Sequence, residues 1–221
     1  MLYLKNIFIF TVIVLLQAIG MPYVALGNNK FDCTVCHTRC DGISKGMYLF
    51  DNDALFSAHY EQRIIEKINR KPGFTAAKNT THSYPDIVIH NNNGQVYRYL
   101  EVKVQQRTFM SIQKKLPNSN LLPSETVALN LSDLLRYFKI ESETGVPTVI
   151  VWVLLHRPCI VGQGGENMYF QAAVVLKNIF EIEGNRRRFR RLSGKGDVVE
   201  GVHKGVTVNY HFSLNELMHW P

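Results

Sequence analysis

No internal repeat and no low-complexity tract occurs in the chain, which excludes a solenoid or an array of stacked units. No phosphate-binding P-loop is present, because Gly162-Gln163-Gly164-Gly165 lacks the lysine and the spacing that loop needs. Cysteine is scarce: four in 221 residues, three of them together as Cys33, Cys36 and Cys40. A single cluster does not supply the two paired knuckles usual for zinc. Three readings of it stay open. Cys33, Cys36, His37 and Cys40 could hold a structural Zn2+, with His59 or Cys159 arriving from a distance to complete the set. The cysteines could form a disulfide or remain free thiols. Cys33-Thr34-Val35-Cys36-His37 also matches the attachment pattern of c-type haem, although nothing nearby looks like a small all-helical haem domain.

Acid is missing from Arg186-Arg187-Arg188-Phe189-Arg190-Arg191 and on to Lys195. The net charge is +7, and this stretch alone carries six positive charges, so the rest of the chain is near +1 (7 minus 6). Basicity so localised points to contact with a polyanion rather than to a diffuse basic surface. The alternative is a solvated loop, or a membrane-surface patch if the N-terminal segment is an anchor. The uncharged run from Ile7 to Leu16 is short for a membrane span unless Gln17 to Leu26 is counted with it. Lys5 before it and Ala25-Leu26-Gly27 after it read as a secretory signal or an anchor. The protein is then exported or membrane-anchored; with a start at Met21 or Met47 it is cytoplasmic.

What is present is an apolar share of 46% in a chain long enough for one domain with additions. Residues 1–27 are the signal-like or anchor segment, and 28–53 a polar, Cys-containing stretch. Residues 54–156 read as the core and 157–221 as an extension, either part of the same domain or a substrate-binding addition. From Ala54 to Arg70, Leu55, Ile64, Ile65 and Ile68 form a helical stripe with Asp53 as N-cap. Glu61 shares that inward face, where an acid needs a partner. Phe74 to Lys78 is a strand. A second helix is expected from an N-cap at Ser124, with Val127, Leu131, Leu134, Leu135 and Phe138 inward and Tyr137 mostly core. Thr148 to Leu155 is almost wholly apolar and suits a central strand covered on both sides. Further on, Tyr169 to Val175 is a strand and Leu176 to Ile182 a helix. Val198 to Val202 and Val206 to Phe212 form a hairpin, and Ser213 caps a terminal helix to Trp220.

Two runs carry the chemistry. Ser83-Tyr84-Pro85-Asp86-Ile87-Val88-Ile89 and Tyr97-Arg98-Tyr99-Leu100-Glu101-Val102-Lys103-Val104 flank the hairpin turn Asn91-Asn92-Asn93-Gly94. Alternation places Glu101 and Lys103 on one face, and Asp86 at the mouth of the neighbouring strand can reach them. Two carboxylates and an amine so placed suit a hard divalent cation and an activated water.

At Pro85-Asp86 and Glu101-Val102-Lys103 the chain resembles the PD-(D/E)XK nuclease superfamily, over roughly residues 54–156. The resemblance implies an α/β, restriction-endonuclease-like core in αβββαβ order, a mixed central sheet flanked by helices. It implies Mg2+ or Mn2+ held by Asp86, Glu101 and the Val102 carbonyl, with Glu61 joining from the first helix and Lys103 beside the attacking water. Catalysis is then assigned to Asp86, Glu101, Lys103 and Glu61. Gln105, carried onto the same face, and Arg186, Arg187, Arg188, Arg190 and Arg191 are expected to contact nucleic acid. The expected activity is Mg2+-dependent cleavage of DNA, similar to type II restriction enzymes, with a homodimer implied by resemblance. A junction-resolving or repair nuclease of the same fold is the neighbouring alternative, and a non-catalytic nucleic-acid-binding protein is another.

Overall fold

The structure is a computed structural model describing residues 50–81, 84–106, 108–155, 157, 160, 165–192, 196–199 and 201–220. The expectations for the leader and for Cys33, Cys36, His37, Cys40 and Cys159 lie outside the described residues. Helix α1 (Phe50–Asn69) is followed by strands β1 (Phe74–Lys78), β2 (Ile87–Asn91) and β3 (Val96–Gln105). A one-turn helix α2 (Ile112–Lys115), strand β4 (Thr126–Asn130), helix α3 (Leu131–Thr144) and strand β5 (Thr148–Leu155) come next. Then follow β6 (Glu166–Ala172), α4 (Ala173–Glu183), β7 (Arg188–Leu192), β8 (Val198–Val199), β9 (Val202–His203), β10 (Val206–Ser213) and β11 (Met218–Trp220).

Six strands make the central sheet in the order β1-β2-β3-β5-β6-β11. It is mixed: β3 and β5 run parallel, and every other neighbouring pair is antiparallel. The β2–β3 hairpin closes where expected. Asn91 Oδ1 accepts from the amides of Asn93 and Gln95, and Gly94 takes the left-handed φ of 74° that the turn requires. All eight residues of β5 are buried, as a strand covered on both faces must be. On one face, Tyr60, Ile64, Ile65 and Ile68 of α1 pack on Ile87, Leu100, Val102 and Val151. Each such side chain contributes about 1.5–3 kcal/mol by leaving water. On the other face, Ile150, Trp152 and Leu154 pack under α3, α4 and a second sheet, β4-β10-β7.

Four sequence expectations change. Helix α1 starts at Phe50, so Asp53 is helical rather than its cap. No helix begins at Ser124; residues 126–130 are strand β4, and α3 starts at Leu131. The partner that makes β4 a strand is β10, about 80 residues further along, which helical periodicity cannot reveal. Leu135 consequently points outward, 45% exposed. Residues 206–213 do not fold back on 198–202: β10 lies between β4 and β7, while β8 and β9 pair with each other. Ser213 caps only a 3-10 turn over Leu214–Glu216, in a capping box with Glu216. The chain then becomes β11, because Met218 and Trp220 alternate inward onto the central sheet. Residues beyond 156 therefore supply strands to the same sheet that carries β2 and β3.

Candidate active site

Alternation along β3 sends Leu100 and Val102 to the α1 side and Glu101 and Lys103 to the α3 side. Glu101 is 3% exposed. Lys103 Nζ lies 2.6 Å from Glu101 Oε1 and 3.7 Å from Asp133 Oδ2, the latter on the first turn of α3. Asp86 precedes β2, and its Oδ2 accepts the Val102 amide at 2.8 Å. That bond fixes the Asp86 carboxylate against the backbone between Glu101 and Lys103. Asp86, Glu101 and Lys103 thus converge.

The electrostatics are those of crowded acids. Burial and then the Glu101 charge push the Asp86 carboxyl up to about 7, against the weaker pull of the Val102 amide and Lys103. Burial works to lower Lys103, but Glu101, Asp133 and Asp86 together hold the ammonium above its ordinary value. Lys103 is therefore a charged hydrogen-bond donor in this state, not a free base. Tyr137, one turn beyond Asp133, presents its hydroxyl to Glu101; burial and that carboxylate hold the phenol far above the tyrosine range. Glu101 Oε2 is buried with no hydrogen-bond partner.

An orphaned carboxylate oxygen, next to a carboxyl that resists ionising because of burial and then of a second acid, is a donor set short of a cation. Among the described residues, no three His, Cys, Asp or Glu side chains gather into a metal cage. Magnesium needs no such cage: one or two carboxylates suffice, water and phosphate oxygens completing its shell. Asp86 and Glu101 fit that requirement.

Other sequence-selected residues are placed differently. Glu61 sits on α1, across the sheet, bonded to Lys78 at 3.0 Å and to Ser57 at 3.2 Å. It reaches Asp86 only through its charge. Gln105 is committed to backbone: its amide nitrogen donates to the Ala128 carbonyl at 2.7 Å and its oxygen accepts the Ala128 amide at 3.4 Å. It ties β3 to β4. Within the arginine run, Arg186 closes the end of α4 on the carbonyls of Ile182 and Glu183. Arg187 is buried between Glu216 at 2.6 Å and Glu183 at 3.4 Å. Arg188 and Arg190 are exposed on β7, an edge strand of the second sheet, while the Arg191 side chain lies outside the description. Phe189 points the other way, toward Ile112 and Leu116, with Lys115 Nζ 4.2 Å from its ring centre.

Sequence reasoning missed Asp133 and Arg136. Arg136 Nη1 lies 3.3 Å from Asp133 Oδ1, and its guanidinium carbon stands 4.4 Å above the Tyr84 ring. The i,i+4 spacing of Asp133 and Tyr137 marks one helix face, but nothing in the sequence says that this face looks at β3.

No protein-family model matches the chain, and no curated protein does. Among solved structures, the Holliday junction resolvase Hjc of Archaeoglobus fulgidus is similar over 54% of this chain and 75% of that one, with 17% identity and a TM-score of 0.34. The molecule is a mixed α/β fold with a central mixed sheet between helices, and the site rests on its own geometry.

Proposed function

We propose that the protein is a divalent-metal-dependent nuclease hydrolysing phosphodiester bonds in DNA. The observation that carries this reading is the convergence of Asp86, Glu101 and Lys103, with the buried oxygen of Glu101 left without a partner. Asp86 and Glu101 would hold Mg2+ or Mn2+, with the Val102 carbonyl as a further oxygen. The ion, when bound, supplies Lewis acidity toward the phosphate. Lys103, held protonated among three carboxylates, steadies the negative charge that grows on the phosphate and orients the attacking water. Hydrolysis forms a bond from the water oxygen to phosphorus and breaks the bond to one sugar oxygen. The Tyr137 hydroxyl keeps the Glu101 carboxylate turned toward the site. Glu61 stands behind Asp86 as a charge rather than as a contact. Arg188 and Arg190 are the exposed cations of the basic run and are assigned to backbone phosphates, which give affinity without reading sequence. Cutting both strands implies two copies acting together.

The test is incubation of the full chain with plasmid, linear duplex and four-way-junction DNA, with and without Mg2+ or Mn2+. Discrete plasmid fragments indicate site-specific cutting, and selective loss of the junction indicates a resolvase. Cleavage must vanish with EDTA and in Glu101→Gln. DNA binding with no cleavage under any divalent ion would overturn the enzyme and leave a nucleic-acid-binding protein.

A further inference from the structure

We infer that Asp133 is a positioning residue that receives the Lys103 ammonium when a divalent cation takes Glu101. This rests on the metal-site reading above and extends it to residues outside the Asp86, Glu101, Lys103 set. Lys103 Nζ sits 2.6 Å from Glu101 Oε1, so a metal ion drawn to the unpartnered Oε2 meets an ammonium on the same carboxylate. Two cations on one carboxylate repel each other. The repulsion drives the ammonium away from Glu101, and at 29% side-chain exposure it is only partly hydrated where it stands. Asp133 Oδ2 is 3.7 Å away, beyond a good hydrogen bond and within a small side-chain rotation of one.

Asp133 is itself held ready. Arg136 grips its other oxygen, Oδ1, at 3.3 Å, and the guanidinium lies 4.4 Å over Tyr84, two residues before Asp86. The line Tyr84, Arg136, Asp133, Lys103, Glu101 therefore joins the segment that carries Asp86, helix α3 and strand β3. Asp133 keeps one oxygen for Arg136 and offers the other to Lys103. The same move leaves Lys103 beside the site, where a substrate phosphate arrives.

Mn2+ binding to the full, metal-free chain, followed by calorimetry, separates this role from simple attraction by a nearby acid. Four proteins are compared: the parent, Asp133→Asn, Lys103→Met and the double variant. Heat in Glu101→Gln is subtracted as binding elsewhere. With Asp133 as receiver, Asp133→Asn weakens Mn2+ binding roughly tenfold in the parent and less than about twofold in the Lys103→Met background. Lys103→Met alone binds at least as tightly as the parent, since the competitor is gone. Equal weakening by Asp133→Asn in both backgrounds means that its charge acts alone, and overturns the inference while leaving the metal site intact. No weakening in either background overturns it too. Absence of Glu101-dependent heat in all of the other proteins removes the metal site and this inference with it.

Discussion

Two ion clusters among the described residues, one around Arg187 and one around Lys103, are balanced differently. Around Arg187, two carboxylates, Glu183 and Glu216, meet two guanidiniums, Arg187 and the more exposed Arg186. Glu216 also caps the 3-10 turn, and the Arg187 carbonyl meets His211 Nδ1 at 3.1 Å. The cluster pins the end of α4, the start of β7, β10 and the C-terminal turn to one another. Around Lys103, three carboxylates, Asp86, Glu101 and Asp133, meet Lys103 and Arg136. One carboxylate oxygen is left over, and one carboxyl titrates near 7. A buried cluster whose charges close acts as a staple. One that is short of a cation costs stability, and that shortfall is what a functional ion can fill.

The largest expected effect separates the two clusters. Glu101→Gln lowers DNA cleavage by about a thousandfold or more, about 4 kcal/mol in barrier. Its unfolding free energy, from urea titration without metal, stays within about 1 kcal/mol of the parent, because the change relieves crowding among acids. Arg187→Met does the reverse. It leaves the half-buried Glu216 and Glu183 without their main partner and costs about 2 kcal/mol of stability, while the refolded fraction cleaves at the parental rate. Equal loss of stability in both variants would erase the distinction between staple and site.

Acid should act on the two regions with opposite sign. Asp86 carries a folded pKa of about 7, above its unfolded 3.8. The folded state therefore holds the extra proton between those values, and Asp86's contribution falls as pH rises from 4 to 7. His211 is shifted the other way: burial lowers it below 6.5, against the weaker effect of its bond to the Arg187 carbonyl. Its contribution is complete above 6.5 and is lost as pH falls through the lowered folded value. Urea titrations at pH 5 and pH 8 in EDTA check both. Asp86→Asn should gain roughly 2 kcal/mol over the parent at pH 8 and much less at pH 5. His211→Asn should remove the acid-side loss. A parental Asp86 contribution that grows with pH would mean that the carboxyl is not crowded.

How much of this was legible is itself uneven. The hairpin with Asp86, Glu101 and Lys103 could be read because strand alternation is local: a period of two fixes the face of Glu101 without knowledge of any partner strand. The buried β5 was legible for the same reason, since eight apolar residues admit one environment. Strand β4 was not, because its identity is conferred by β10 across a long sequence gap, and Thr126 to Asn130 continues a plausible helix in isolation. Asp133 and Arg136 were hidden by the same limit. Their spacing gives a face, but the neighbour of that face is decided by how α3 crosses the sheet. The arginine run was read as one surface; a turn and an alternating strand divide it into Arg186 and Arg187, which bond to the protein, and Arg188 and Arg190, which face solvent.

That division yields the smallest and most local comparison. Gln105 and Arg190 both looked like phosphate ligands in the sequence, yet Gln105 spends its amide on both backbone groups of Ala128. Gln105→Ala should cost about 1 kcal/mol of stability, because the Ala128 amide loses the Gln105 oxygen and the Ala128 carbonyl keeps only the long bond from Trp152 Nε1. It should leave the salt dependence of DNA binding unchanged. Arg190→Ala should do the opposite, with stability within about 0.5 kcal/mol of the parent and a slope of log affinity against log salt shallower by about 1. Fluorescence anisotropy on a labelled duplex in Ca2+, over a salt series, reads the slope directly. A shallower slope for Gln105→Ala would put that side chain on the DNA and require the β3–β4 bond to open on binding. An unchanged slope for Arg190→Ala would remove Arg190 from the DNA path and move the search for the phosphate track to Arg136, beside the Asp133 carboxylate.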